Sequence, residues 1–148
     1  MSIAFLVKNG KMGNVKYIES PDKMWQLFTD YKNDVKDNPR YESVYGGKDF
    51  NKEAKELERP LTMEGFDCFV MNNEGVKSKG IDQYFANQDK LYDNYMGICS
   101  RIRREIRRDQ IEGGMVGQYN ASITQRLNNL VDKQEQTIKQ EQPLFGED

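Results

Sequence analysis

The chain has 148 residues, 36% of them hydrophobic and 31% charged, which allows one modest core with appendages and leaves a polar chain for a monomer that must hide its own interior. A formal net charge of −2 excludes a global basic field, so any nucleic-acid contact has to come from local clustering. The sequence contains no histidine, so the usual proton shuttle and the commonest metal ligand are both missing.

Residues 1–19 read as an N-terminal arm, with glycines at 10 and 13, lysines at 8, 11 and 16 and a short strand near Phe5. The apolar run Ile3–Val7 is far too short for a signal peptide or a membrane span. The first helix starts at Ser20-Pro21-Asp22: serine accepts from a free N–H, proline is preset for the first position, and aspartate suits the positive helix end. Met24, Phe28, Tyr31 and Val35 follow at spacings of 4, 3 and 4, one apolar stripe that Trp25 and Leu27 widen. Asn38-Pro39 ends it. Residues 40–60 predict a β-hairpin: Tyr41, Ser43 and Tyr45 alternate with Glu42 and Val44, Gly46-Gly47-Lys48-Asp49 turns the chain, and a second run spans about Glu53 to Arg59. A polar hairpin on a helical body suits assembly or contact better than core.

Thr62 caps a predicted helix over 63–72 that buries Phe66, Phe69 and Val70. After the turn at Asn72-Asn73-Glu74-Gly75, a short helix from about Ser78 to Ala86 completes a helix-turn-helix-like pair. The next helix, about 89–112, carries Tyr92, Tyr95, Cys99, Ile102 and Ile106 at spacings of 3, 4, 3 and 4. That narrow seam is the pattern of subunit packing, and at ~1.5 Å rise per residue the helix is ~35 Å long. Gly113-Gly114 reads as a hinge. Asn120 or Ser122 starts a last helix with Ile123, Leu127 and Leu130 on one face. Residues 131–148 hold five acids against two lysines and form an acidic, partly flexible tail with an isolated apolar pair, Leu144 and Phe145. The domain reading is therefore an arm (1–19), a helical core with its hairpin (20–130) and a tail (131–148).

Between positions 101 and 108 five arginines (Arg101, Arg103, Arg104, Arg107 and Arg108) face one acid, Glu105. Guanidinium suits phosphate contact, and Lys77, Lys79, Gln83 and Asn87 on the short helix are groove-facing candidates. The competing reading is a solvated face whose arginines pair with Glu105, Asp109 or a neighbouring subunit's acids. Cys68 and Cys99 lack zinc spacing and are read as reduced, buried thiols. Asp67 reads as a capping or surface acid, and Asn120-Ala121-Ser122 as noise among glycosylation sequons. No DxD, HExxH, Walker-type or GxSxG element occurs. The expectation is a non-enzyme that uses no cofactor, no metal and no small-molecule substrate.

Ser20-Pro21, Trp25, Asn38-Pro39, Arg59-Pro60-Leu61-Thr62, Gly65-Phe66, Gly113-Gly114, Gly117 and Tyr119-Asn120-Ala121 stand in an order that resembles the small terminase subunit of tailed phages, over roughly residues 16–133. The resemblance implies a mainly α-helical subunit with an inserted hairpin that assembles into a homo-oligomeric ring. It also implies binding of viral double-stranded DNA at the packaging start site and recruitment of the large terminase subunit, the ATPase-nuclease. The implied setting is the host-cell cytoplasm, away from membranes and outside the mature virion. The family's DNA-reading helix would fall on Ser78–Ala86, where Lys-Gly-Ile-Asp departs from the usual Ser/Thr-rich start. Leu144 and Phe145 are then candidates for docking on the large subunit. Two other classes fit the same residues: a dimeric helix-turn-helix transcription regulator, and a structural oligomer without DNA readout.

Overall fold

The computed structural model describes residues 16–73 and 80–130. They form a mainly helical protein with a two-stranded antiparallel hairpin. In chain order the elements are α1 (Pro21–Asp37), β1 (Arg40–Gly46), β2 (Asn51–Leu57), α2 (Met63–Asn73), α3 (Asp82–Ala86), 3₁₀ turns at Gln88–Lys90 and Asp93–Tyr95, α4 (Met96–Met115) and α5 (Ala121–Leu127). No helix among the described residues is long and apolar enough to cross a membrane.

The capping signals act as the sequence predicts. Ser20 Oγ accepts from Lys23 N at 3.1 Å with Pro21 in the first turn of α1, and Thr62 Oγ1 accepts from Gly65 N at 2.9 Å at the head of α2. Each such cap is worth about 1 kcal/mol. The α1 stripe of Met24, Leu27, Phe28, Tyr31 and Val35 is buried. Phe28 meets Phe66 of α2 edge to face, with ring centroids 5.4 Å apart, the arrangement that ring quadrupoles favour.

Three expectations are corrected. Tyr92, Tyr95, Cys99, Ile102 and Ile106 are not a subunit interface. None is more than 4% exposed, because the seam is filled by this chain's own α1, α3 and Ile18 (Tyr84 stacks within 5.0 Å of Tyr95). The long helix begins at Met96 instead of about 89, since Asn87, Asp89 and Lys90 adopt left-handed backbone angles that no helix can continue through. Asn87 fixes this reversal by accepting from Tyr92 N at 2.9 Å and donating to Asp93 Oδ1 at 2.6 Å.

Gly113-Gly114 is no hinge but the last turn of α4. A Cβ on Gly113 would lie 2.1 Å from the Tyr119 ring, and one on Gly114 would lie 2.9 Å from Thr124 Cγ2. The glycines allow the returning chain to press against the helix, and the reversal itself falls at Gly117, φ +77°. The last helix, α5, presents its apolar residues to solvent. Its capping residue is Asn120, which accepts from Ile123 N at 3.1 Å, yet Thr124 and Asn128 are buried while Ile123, Leu127 and Leu130 face outward.

The arm's end also belongs to the body. Ile18 is fully buried, its N–H donating to Tyr84 Oη at 2.9 Å and its carbonyl accepting from Tyr95 Oη at 2.5 Å. The strand expected near Phe5 lies outside the described residues. β2 starts two residues earlier than expected and pairs in register with β1, Tyr41 opposite Glu56 and Tyr45 opposite Lys52.

Candidate nucleic-acid interface

The five arginines sit on the solvent side of α4, and all are exposed. At about 100° per residue the core seam Cys99, Ile102 and Ile106 leaves Arg104 pointing directly away from the body. Arg101 and Arg108 lean toward α1, and Arg103 and Arg107 lean toward α3 and α5.

Four of the five are held by their own chain. The Arg101 guanidinium lies 3.9 Å from the centroid of the Trp25 ring. Arg103 stacks on Phe85 at 5.0 Å and donates to the Phe85 carbonyl at 3.2 Å. Arg107 donates to the Asn128 carbonyl at 2.8 Å, at the C-terminal end of α5. Arg108 pairs with Glu105 at 2.9 Å, and Lys32 approaches the same carboxylate at 3.7 Å. Arg104 has no hydrogen bond or ion pair among the described residues.

The reading of a solvated, paired face holds in part. One arginine pairs with Glu105, but Asp109 takes no arginine. Stacking and single hydrogen bonds also leave several of the five N–H donors of each guanidinium unused. The heads stay fixed without being neutralised, which lowers the ordering cost of an anionic partner. With ~1.5 Å rise per residue, Arg101, Arg104 and Arg108 span about 10 Å, the reach of about three phosphate steps along one DNA strand.

The expected groove-facing residues divide differently. Lys77 and Lys79 lie outside the described residues, as do Leu144 and Phe145. Gln83 is half-buried and donates to Tyr17 Oη at 3.1 Å, and Tyr17 in turn donates to the Gly80 carbonyl. Asp67 ties α2 to the chain ahead of α3, its Oδ1 accepting from Ile81 N at 2.7 Å. A Cβ on Gly80 would collide with that carboxylate. Cys99 is buried, whereas Cys68 is exposed, contrary to expectation, because it points off the α2 stripe formed by Phe66 and Val70.

One polar cluster escaped the sequence reading. Lys36 Nζ contacts Asp109 Oδ1 at 2.7 Å, Glu58 Oε1 at 2.9 Å, Tyr119 Oη at 2.9 Å and the Arg59 carbonyl at 3.1 Å. Asp109 Oδ2 accepts from Leu61 N at 2.8 Å. The cluster ties the end of α1, the return from the hairpin, the middle of α4 and the entry to α5 at one point. Burial on its own lowers the Lys36 pKa, but hydrogen bonds to Asp109, Tyr119 and Glu58 outweigh it and the net shift is upward. Residues 36, 58, 109 and 119 are too far apart in the chain for any spacing rule to connect them.

Burial also pushes the Cys99 thiol from 9.0 to about 11 and the Tyr84 hydroxyl from 10.0 to about 12, and it raises Tyr17, Tyr95 and Tyr119. All of these groups, Lys36 included, hold their protons more tightly folded than unfolded. As pH rises the unfolded chain releases protons first, so stability present below about pH 9 is lost progressively toward pH 12. The urea midpoint is expected to stay level from about pH 6 to 8, where no histidine titrates, and to fall steadily above about pH 9. A midpoint unchanged at about pH 11 would contradict this assignment.

Among the described residues, no group of three or more cysteines, aspartates or glutamates is placed to hold a metal ion. No protein-family model matches the chain, and no curated protein matches it.

Proposed function

We propose that this protein is a non-catalytic DNA-binding assembly subunit of the small-terminase type. On this reading it forms a homo-oligomeric ring, binds viral double-stranded DNA at the packaging start site, and recruits the large terminase ATPase-nuclease in the host cytoplasm. The supporting observation is the α4 ridge, where five exposed arginines share one helix and four are held in place while keeping donors free. The match in order of the Ser20-Pro21, Arg59-Pro60-Leu61-Thr62 and Gly113-Gly114 elements supplies the packaging context.

Phosphate contact carries no sequence information by itself, so start-site choice on this reading falls to the chain around α3. Replacing Arg101, Arg104 and Arg108 together by alanine avoids Arg103 and Arg107, whose backbone contacts hold α3 and α5. Affinity for a 30-base-pair duplex at about 0.1 M salt is expected to fall at least tenfold, with the salt slope shallower by about 2–3. Unchanged affinity and slope would remove α4 from the DNA surface. A structural oligomer without DNA readout is the second reading, favoured by the intramolecular engagement of four of the arginines; it predicts no duplex binding even by the unaltered protein.

A further inference from the structure

Residues 115–130 stand apart in a chain that is 31% charged, because Arg126 is their only charged residue. Met115, Val116, Ile123 and Leu127 each expose more than half of their surface, and Leu130 exposes 39%. Charge depletion around exposed apolar side chains marks the centre of an interface, not a solvated face. Beside them runs a groove of about 240 Å³ between Pro60, Thr62, Tyr119, Ile123 and Leu127. It is smaller than the roughly 300–1,000 Å³ of small-molecule sites and suits an inserted side chain.

The hairpin poses the matching problem. Its residues are exposed on both faces apart from half-buried Val44, and Tyr41, Tyr45 and Phe50 are 66%, 69% and 81% exposed. Antiparallel pairing puts Tyr41 and Tyr45 on the same face as Glu56 and Lys52. An isolated two-stranded hairpin is marginal in water and needs a surface to lie on.

We infer that the hairpin of one copy docks through Tyr41, Tyr45 and Phe50 onto the α5 surface of the next copy. The inference rests on the ring reading and names its interface. Together the two apolar surfaces offer roughly 1,000 Å², close to the lower limit of a specific interface before any polar rim is added. The hairpin face carries one acid and one base, Glu56 beside Tyr41 and Lys52 beside Tyr45. Glu56 is available to meet Arg126, the patch's only charge, with Lys52 left toward solvent at the rim. On the ring reading each hairpin reaches a different neighbour, a head-to-tail contact that repeats. Reciprocal exchange between two copies would instead close as a two-fold dimer, and a dimeric unaltered protein would overturn the ring form.

Two variants test this, Tyr45→Glu/Phe50→Glu in the hairpin and Leu127→Glu in the patch. The replaced side chains are exposed in the single chain, so circular dichroism should be unchanged for both. Light scattering after size exclusion is expected to show an assembly larger than a dimer for the unaltered protein and monomers for each variant. An equimolar mixture of the variants should give a 1:1 heterodimer that grows no further, since it holds one intact hairpin and one intact patch.

A full-size assembly in either variant would overturn the interface and leave the ring reading standing. Monomeric variants that fail to pair on mixing would overturn the head-to-tail contact. If the protein is monomeric at about 100 μM both with and without residues 131–148, both readings fall. If it oligomerises only after residues 131–148 are removed, the tail and not a second copy covers the patch.

Discussion

Replacing Asp109 by alanine is expected to lower the free energy of unfolding by about 3 kcal/mol. The carboxylate carries two loads. One oxygen holds Lys36 at 2.7 Å and the other holds Leu61 N at 2.8 Å. Without it, Lys36 keeps only Glu58, Tyr119 and one carbonyl around a mostly covered ammonium, and an N–H between the hairpin and α2 loses its partner. Breaking a fully buried pair costs about 3–5 kcal/mol. Here the side chains of Lys36 and Asp109 retain 25% and 18% of their exposure, so partial screening puts the loss at the lower end. Urea unfolding with an unchanged m-value is the measurement. The double variant Lys36→Met/Asp109→Leu should lose less than the two single changes together, because no unpaired charge is left behind. A loss under about 1 kcal/mol for the single variant would show that water takes over the carboxylate's role.

Gly113→Ala is expected to destabilise by about 2–3 kcal/mol, although alanine is the better helix former. The added methyl would sit 2.1 Å from the ring of Tyr119. That ring cannot withdraw freely: the Gly113 carbonyl accepts from the N–H groups of Gln118 and Tyr119 at 2.9 and 3.1 Å, and the hydroxyl is bound to Lys36. Moving the ring therefore disturbs the same cluster that Asp109 anchors. Gly97, in the first turn of the same helix, is the internal control, since a Cβ there meets nothing within 4 Å. Gly97→Ala should stabilise by about 0.5–1 kcal/mol. Equal effects at the two positions would mean that helix propensity, not the close approach of Tyr119, governs Gly113.

These two positions show where the sequence stops being readable. Local signals carried well: Ser20-Pro21-Asp22 and Thr62 cap the helices expected of them, the Met24–Val35 stripe is core, and the hairpin falls within residues 40–60. Each of those readings depends on neighbours a few residues apart. Gly113-Gly114 reads as a breaker by composition, whereas its role is set by Tyr119 and Thr124 pressing on it. The Tyr92–Ile106 seam has the period of a packed helix face, but periodicity does not say whose residues cover it. Here α1, α3 and Ile18 of the same chain do. The apolar side of α5 is legible as one face, but the pattern does not say which way it points. Thr124 and Asn128 go inward instead, Asn128 because its amide donates to Gln110 Oε1 at 3.0 Å and its carbonyl holds Arg107. In the candidate site, the arginine ridge was legible from charge alone. The partners that fix it, Trp25, Phe85 and Asn128, lie on three other elements and follow only from the fold.

The stacking of Arg101 on Trp25 gives the protein an optical label of its own. Trp25 is the sole tryptophan, so all indole emission originates 3.9 Å from one cation of the ridge. An anion drawing that guanidinium outward, or a slackening of α1 against α4, changes the field across the ring and with it the emission. The behaviour of a single residue pair can thus be followed in unlabelled protein, in real time and at micromolar concentration.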